Sequence, residues 1–339
     1  MKTNIPERIA ALREAMKQHK IDAYIIPTSD PHMSEYPADC WKYREWISGF
    51  TGSAGTVVIT ADKAGLWTDS RYFLQASTQL EGTGIELFKM MLPETPTIPE
   101  FLAHELEKGQ TVGLNGETYS LAEARTLEKA LAEKEIKLNT NASLIDPIWK
   151  ERPAIPEAPM FEMQVELSGK SVEDKLLDIN KMLHKAGADC TILSALDEVA
   201  WTFNIRGTDV AYNPVVISYA FVSEKESVLF VNPKKIPAEI AEHLKKEGVT
   251  LADYGMLATF LSRLPERTRV FIDSKRTNVA IYNALPESSI LIEGISPANH
   301  LKSIKNETEI KGFRNAVLKD GIAMTKFYFW LEKRLKAGE

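Results

Sequence analysis

Apolar residues along the first half of the chain follow two spacings, one typical of helices and one typical of strands. Ile9, Leu12 and Met16 fall on one face of a helix that begins after Asn4, a residue suited to capping it. Short apolar runs predict strands over 23–26, 56–60, 65–69, 85–90, 111–114 and 136–139, and helical spacing predicts helices over 71–80, 98–108 and 120–134. Residues 28–46 are predicted as a long polar and aromatic loop.

The second half of the chain repeats this pattern. Ser171 caps a predicted helix that Gly187 ends, and an apolar strand follows over 188–194. A hairpin over 219–222 and 227–231 and a strand beginning at 269 keep the order of the first half. A repeat of this length indicates duplicated domains. Because strands alternate with helices and hairpins also occur, the predicted fold class is α/β, with two tandem domains that each hold a mixed β-sheet flanked by helices.

Prolines and a final apolar helix set the predicted domain limits. Pro153, Pro156 and Pro159 lie in a segment without periodicity, which is typical of a semi-rigid linker. We therefore predict domains over 1–155 and 156–303 and a separate segment over 304–339. A helix over 306–335 fills that segment, with an apolar stripe at Ile310, Phe313, Val317, Met324, Phe327 and Leu331. Since neither domain needs this helix, we expect it to be the first element of a third domain that the chain lacks.

Charge and composition narrow the classes of function. The net charge of −6 and the lack of a Lys/Arg cluster argue against nucleic-acid binding. The longest apolar run, around 214–222, is too short to span a bilayer, and the N-terminus lacks the apolar core of a signal peptide. Only two cysteines occur, Cys40 and Cys190, which is typical of a reducing compartment. We expect a cytoplasmic protein without a nucleic-acid or membrane partner.

Three glycines, Gly49, Gly52 and Gly55, precede the strand at 56–60. Their spacing resembles a phosphate-binding loop, but no Lys-Ser/Thr pair follows, and the stretch leads into a strand instead of a helix. We interpret the glycines as a structural turn or bulge. Ser53 does not lie in a G-x-S-x-G motif, so a nucleophilic serine is not indicated.

Two polar sites are candidates for ligand binding. Arg71 lies among acidic and aromatic residues, where a guanidinium can hold a carboxylate or a peptide carbonyl; the alternative is a structural pair with Asp69. The loop from Asp30 to Tyr36 contains His32, and it either faces a substrate or partner or is a solvated loop held by local hydrogen bonds. The spacing of the six histidines does not predict a metal site in this chain.

Several motifs in a fixed order resemble one family. Residues 25–36 (IIPTSDPHMSEY), 47–56 (ISGFTGSAGT) and 67–76 (WTDSRYFLQA) resemble the N-terminal domain of aminopeptidase P, the Xaa-Pro aminopeptidases of the creatinase/prolidase superfamily. Residues 194–201 (SALDEVAW) and 204–214 (NIRGTDVAYNP) resemble that family's second domain. Residues 301–310 (LKSIKNETEI) are similar to the beginning of its catalytic "pita-bread" domain. The resemblance covers essentially the whole chain, and the internal repeat selects the three-domain, cytosolic type.

The resemblance implies an activity for the complete protein. Family members remove the N-terminal residue from peptides with proline in second position, and two metal ions, usually Mn²⁺, activate the attacking water. The Asp, Asp, His, Glu and Glu ligands belong to the catalytic domain. The resemblance therefore implies no catalytic residue, no metal ligand and no bound cofactor within these 339 residues.

The resemblance also points to substrate-binding residues. The arginine of the family's T-D-x-R-Y-F motif reaches toward the peptide, and it corresponds to Arg71, with Ser70 where the family has glycine. His32 is a second candidate, because its loop lies where related enzymes close over the active site. The resemblance further implies a homodimer.

We therefore expect the N-terminal portion of an Xaa-Pro aminopeptidase, which shapes substrate access and assembly. The missing catalytic domain is expected to pack on the 306–335 helix, and the chain alone is expected to be inactive. Two alternatives stay open. One is a naturally short, non-catalytic binding protein built from the same domains, and the other is a prolidase-like Xaa-Pro dipeptidase.

Overall fold

The first sheet is mixed and has six strands in the computed structural model, which describes residues 4–338. Its strands are β1 (Ala23–Pro27), β2 (Thr56–Thr60), β3 (Ala64–Thr68), β4 (Glu86–Lys89), β5 (Thr111–Leu114) and β6 (Lys137–Asn139). They lie in the order β4-β3-β2-β1-β5-β6, and only the β1–β2 and β2–β3 pairs are antiparallel. The associated helices are α1 (Ile5–Gln18), α2 (Tyr43–Ser48), α3 (Phe73–Gln79), α4 (Ile98–Glu105) and α5 (Leu121–Ala132).

The second sheet repeats the first. A short ribbon pairs β7 (Phe161–Glu162) with β9 (Ile205–Arg206), and the main strands are β8 (Cys190–Leu193), β10 (Ser218–Ser223), β11 (Ser227–Val231), β12 (Val249–Ala252), β13 (Arg269–Ile272) and β14 (Ile290–Glu293). Their order is β12-β11-β10-β8-β13-β14, with the same strand directions at each equivalent pair. This correspondence confirms the predicted α/β fold with two tandem mixed sheets.

The second half also contains eight helices among the described residues. They are α6 (Val165–Ser168), α7 (Val172–Ala186), α8 (Leu196–Thr202), α9 (Ala238–Lys246), α10 (Leu257–Leu261), α11 (Val279–Asn283), α12 (Pro297–Ser303) and α13 (Glu307–Lys336). The predicted limits of α7 are confirmed. The Ser171 side chain accepts the Asp174 N–H at 3.1 Å, and Gly187 ends the helix in the left-handed region at φ 73°.

Some local predictions were wrong. Residues 28–46 are not a continuous loop, because they contain a 3₁₀ turn, Asp39–Trp41, and most of α2. A helix of six residues is too short to show a periodic apolar face in the sequence. The Asn4 side chain makes no capping bond to α1, and α4 ends at Glu105 instead of 108. The predicted helix over 71–80 begins as a 3₁₀ turn, Ser70–Tyr72, and continues as α3.

The two halves pack together through apolar and polar contacts. Leu196, Val210 and Ile217 from the second half lie in the same buried cluster as Ile26 and Phe50 from the first half. Backbone bonds also join the halves, since Leu121 N donates to the Thr277 carbonyl at 2.9 Å and Val279 N donates to the Tyr119 carbonyl at 3.0 Å. Apolar packing and backbone hydrogen bonds therefore join the two halves, as they join the elements within each half.

Helix α13 differs from the other helices in its surroundings. The Asn306 side chain accepts the Glu309 N–H at 2.9 Å, which forms a capping box at its start. None of its described residues is buried, and its large apolar side chains are exposed, with Phe329 at 71% and Trp330 at 52%. The predicted apolar stripe is therefore mostly open to solvent. Despite its length, α13 is not apolar enough to cross a bilayer, and neither is any other helix in that range.

Candidate functional site

A buried arginine holds the glycine-rich turn. Arg44, on α2, is 4% exposed, and its guanidinium donates to the carbonyls of Phe50 and Gly52. Its Nε donates to Thr28 Oγ1 at 2.8 Å, so one side chain ties the turn to the end of β1. Burial lowers the pKa of Arg44 to about 10, which still leaves the side chain charged at neutral pH. The interpretation of the glycines as a structural turn agrees with this arrangement.

The same turn approaches the aromatic residues beside Arg71. A Cβ at Gly52 would lie 2.3 Å from Phe50 Cζ and 2.7 Å from Tyr72 Cδ1, which no side chain tolerates. The Ser53 and Tyr72 hydroxyl oxygens are 2.6 Å apart and share a hydrogen bond. The Phe50 and Tyr72 rings meet edge to face at 5.8 Å. The turn therefore fixes the ring of Tyr72, the direct neighbour of Arg71.

Arg71 forms the structural pair that was one of its two predicted roles, and its role in ligand binding stays a prediction. Its Nε and Nη2 donate to the two Asp69 carboxylate oxygens at 2.8 Å each, so the structural pair is present. The side chain is nevertheless 64% exposed, and it lies three residues after the end of β3. The hydrogen bonds from Arg71 hold the pKa of Asp69 below its usual value, and those to Asp69 raise the pKa of Arg71. A permanently charged, preoriented guanidinium thus faces solvent.

The outer end of the Asp30–Tyr36 loop lies near Arg71. The Glu35 carboxylate interacts with the neighbouring Tyr36 hydroxyl and raises the pKa of Tyr36, while the Arg71 charge lowers it. Tyr36 is 50% exposed. A cavity of about 400 Å³ adjoins this cluster, and Tyr36 and Ser53 belong to its lining. The structure therefore brings part of this loop close to Arg71, and the loop itself lines a space of peptide dimensions.

His32, from the same loop, lies elsewhere. It is 1% exposed, and its Nδ1 donates to the Ser194 carbonyl at 2.8 Å while its Nε2 accepts the Tyr254 hydroxyl at 2.9 Å. Burial lowers the pKa of His32, so the ring is neutral at pH 7, as this pair of bonds requires. Both ring nitrogens are engaged between the two halves of the chain. As a substrate ligand His32 stays a prediction, and its position here is that of an interface residue.

A metal ion would need several His, Cys, Asp or Glu side chains close together as ligands. No group of three or more His, Cys, Asp or Glu side chains within 4–338 is arranged to hold a metal ion. The Arg71 cluster offers a cation, two phenols and two carboxylates instead, one of them paired with the cation. Such a set can bind and orient the polar backbone or the carboxylate of a peptide.

Sequence reasoning missed three contributors to this site, namely Arg44, Tyr72 and Ser53. Arg44 carried no distinct signal, because charged Lys42 and Glu45 lie close to it in the sequence. The Ser53–Tyr72 bond has no local signal, because the two residues are 19 positions apart and meet only through the sheet.

Comparisons with known proteins agree on one family. A family model described as "Creatinase/Prolidase N-terminal domain" matches residues 8–146, and a second with the same description matches 151–309. A "Probable Xaa-Pro aminopeptidase P" of Botryotinia fuckeliana is 39% identical over 342 residues, which are 98% of this chain and 52% of the relative. Its counterpart in Laccaria bicolor is 39% identical over 342 residues, covering 99% of this chain and 53% of the relative.

A solved structure is similar over the whole chain. It is the X-prolyl aminopeptidase of Caenorhabditis elegans, described as a cytosolic enzyme with a di-nuclear active site. The match has a TM-score of 0.93 at 30% identity and covers 100% of this chain and 57% of that one. The chain thus spans about half the length of the curated relatives it matches.

Proposed function

The chain belongs to the creatinase/prolidase N-terminal domain family, with two such domains in tandem, and we propose that it is the N-terminal part of an Xaa-Pro aminopeptidase. The observation that carries this proposal is similarity of 39% identity to proteins of that name along 98% of the chain. The duplication and these relatives favour an aminopeptidase over the prolidase-like dipeptidase considered from the sequence.

The proposed reaction is removal of the N-terminal residue from peptides with proline in second position. Two divalent metal ions, with Mn²⁺ expected, would activate the attacking water in the complete protein. The donor sets described above do not fit such a pair, so we assign its ligands to a part of the protein outside this chain. The role of these 339 residues is then to shape access for the peptide and to support assembly.

Helix α13 supports the assignment of the metal site to another domain. We propose that a catalytic domain packs on it, because its apolar side chains are exposed along its length. Covering such a surface would remove a large apolar area from water, which is the main stabilising contribution to domain packing. We also propose that the complete protein is cytoplasmic and forms a homodimer. Sedimentation of the purified protein would test the dimer.

Arg71 is the proposed contact between this chain and the peptide. Its guanidinium is exposed, is held by Asp69 and stands beside the cavity lined by Tyr36 and Ser53. A planar cation in this position can bind a peptide carbonyl or terminal carboxylate with the hydrogens that Asp69 leaves unused.

Replacing Arg71 in the complete protein tests this role. We expect Arg71→Ala to lower kcat/KM for an Xaa-Pro peptide about tenfold or more, because a charge-assisted hydrogen bond to the substrate is lost. Arg269→Ala is the matched control, since Arg269 makes an equally exposed pair with Asp189 at 2.6 Å on the second sheet. If Arg71→Ala folds normally and its kinetics are unchanged, the role of Arg71 is structural and consists of its pair with Asp69.

A naturally short binding protein is the competing function. The gene sequence beyond Glu339 separates the two, because the proposal requires a downstream domain with Asp, Asp, His, Glu and Glu ligands. A stop codon directly after Glu339 would favour the binding protein.

A further inference from the structure

A second cavity, of about 280 Å³, lies between the two halves of the chain, and Arg71 is not part of its lining. The first half contributes Pro31, Trp41, Glu117 and Arg152 to its lining, and the second half contributes residues of α10 and α11 and two tyrosines. Glu117 and Ala258 are exposed, so the cavity is open to solvent. Cavities between domains are common ligand sites when apolar walls meet a few polar groups.

The wall from the second half is apolar. Leu257, Leu261 and Ile281 are buried side chains that line it. Beside them the rings of Tyr219 and Tyr254 stack at 5.2 Å with an interplanar angle of 16°. This wall offers a surface of aliphatic and aromatic carbon to a side chain of leucine size.

The opposite side carries Arg152, which is held in place but, among the described residues, still has N–H groups without a hydrogen-bond acceptor. Arg152 Nε donates to the Cys40 carbonyl at 2.6 Å, and Nη1 pairs with Asp146. Its guanidinium also lies 4.8 Å from the centre of the Tyr43 ring. Its Nη2 has no hydrogen-bond acceptor among residues 4–338, so two N–H groups stay available at a fixed position.

Glu117 is the second polar group, and its carboxylate has no partner among the described side chains. Only its backbone N–H is engaged, by Asn115 Oδ1 at 3.0 Å. Glu117 and Arg152 both line the cavity, yet the two groups form no ion pair. Because Asp146 is paired with Arg152, the Glu117 carboxylate is the lining charge left without a counter-ion, and it can attract a cation.

We propose that this cavity binds an apolar α-amino-acid unit with a free ammonium group. The ammonium would lie on the Glu117 carboxylate, a carbonyl or carboxylate oxygen of the ligand would accept from Arg152 Nη2, and the side chain would pack on Leu257, Leu261 and Ile281. Two sources carry this chemistry, a free amino acid and the N-terminal residue of a peptide. An aminopeptidase would release a free amino acid. The residues of the cavity carry this inference by themselves, and its test measures binding instead of turnover.

Titration of the purified chain with small probes tests the proposal. We expect leucine or leucinamide to bind saturably in calorimetry, with a Kd of about 1 mM or lower. Binding of leucine alone identifies the free amino acid, and binding of leucinamide identifies the peptide N-terminus. N-acetylleucinamide lacks the ammonium and glycinamide lacks the side chain, so both should bind at least about tenfold more weakly.

Two variants place the ligand in this cavity. Glu117→Gln removes the charge and should weaken binding about tenfold or more, whereas Glu128→Gln, at an exposed position on α5, should not. Ala258→Phe fills the rim and should abolish binding, whereas Thr259→Phe, the next residue along α10 and not part of the lining, should not. Absence of binding by leucine and leucinamide, or equal binding of N-acetylleucinamide, would overturn the proposal. So would unchanged affinity in both Glu117→Gln and Ala258→Phe.

Discussion

Gly52→Ala should disturb the first sheet and the surroundings of Arg71 together. Gly52 does not need a left-handed conformation, so the effect comes from packing alone. The added Cβ would lie 2.3 Å from Phe50 Cζ, 2.9 Å from Phe50 Cε2 and 2.7 Å from Tyr72 Cδ1. Phe50 is 0% exposed, so its ring cannot swing into solvent, and the half-buried Tyr72 ring is held by its hydrogen bond to Ser53.

The expected cost is that of overpacking a core, about 1–3 kcal/mol. For a domain of about 150 residues this corresponds to a fall in Tm of roughly 2–12 °C. Because Tyr72 must move, its hydrogen bond with Ser53 should weaken, and Arg71 should lose its fixed neighbour. In the complete protein the variant should therefore lower peptide turnover in addition to stability.

Thermal unfolding of the purified chain measures the cost, with two matched comparisons. Gly321→Ala adds the same methyl group in exposed α13, where nothing lies within 4 Å, and it should leave Tm unchanged or raise it slightly. In a Phe50→Leu background the cost of Gly52→Ala should fall, because the nearest ring is gone. An unchanged Tm in Gly52→Ala would refute the packing argument.

Two buried charges give the remaining predictions. Glu198 is 1% exposed, and burial raises its pKa to about 7, so it stabilises the fold below its unfolded pKa near 4.5 and loses that contribution as pH rises through 7. Glu198→Gln should remove this dependence, and its unfolding free energy relative to the parent should rise by roughly 3 kcal/mol between pH 5 and pH 8; a constant difference would contradict this account. Lys235 pairs with Asp209, and both side chains are enclosed. Lys235→Met should cost about 3–5 kcal/mol in chemical unfolding, because it leaves a buried carboxylate unpaired. Lys234→Met, which breaks an exposed pair with Glu157, should leave stability unchanged, and equal effects of the two variants would contradict the burial argument.

The repeat could be read from the sequence because its signals are local. Helix caps such as Ser171 and Gly187, and apolar runs such as 190–193, are set by neighbouring residues in the chain. The order of those signals also recurs in both halves. The one hairpin of each half, β2–β3 and β10–β11, was also visible, because its two strands are close in sequence and adjacent in the sheet.

The candidate site was harder to predict from the sequence, because its contacts join residues that are far apart in the chain. Arg44 reaches the turn only after α2 forms, and that helix has six residues. His32 stood out in the sequence as a polar loop residue, yet its partners Ser194 and Tyr254 lie 162 and 222 positions away. For Arg71 the sequence left a ligand contact and a structural pair open, and the structure shows the pair on a side chain that is also exposed.

The most direct test of the central proposal compares two proteins in one assay. The 339-residue chain and the complete product of its gene are each incubated with Mn²⁺ and a peptide that has proline in second position, and release of the N-terminal residue is measured. We predict metal-dependent release by the complete protein and none by the chain. Hydrolysis by the chain alone, or none by the complete protein, would contradict the account.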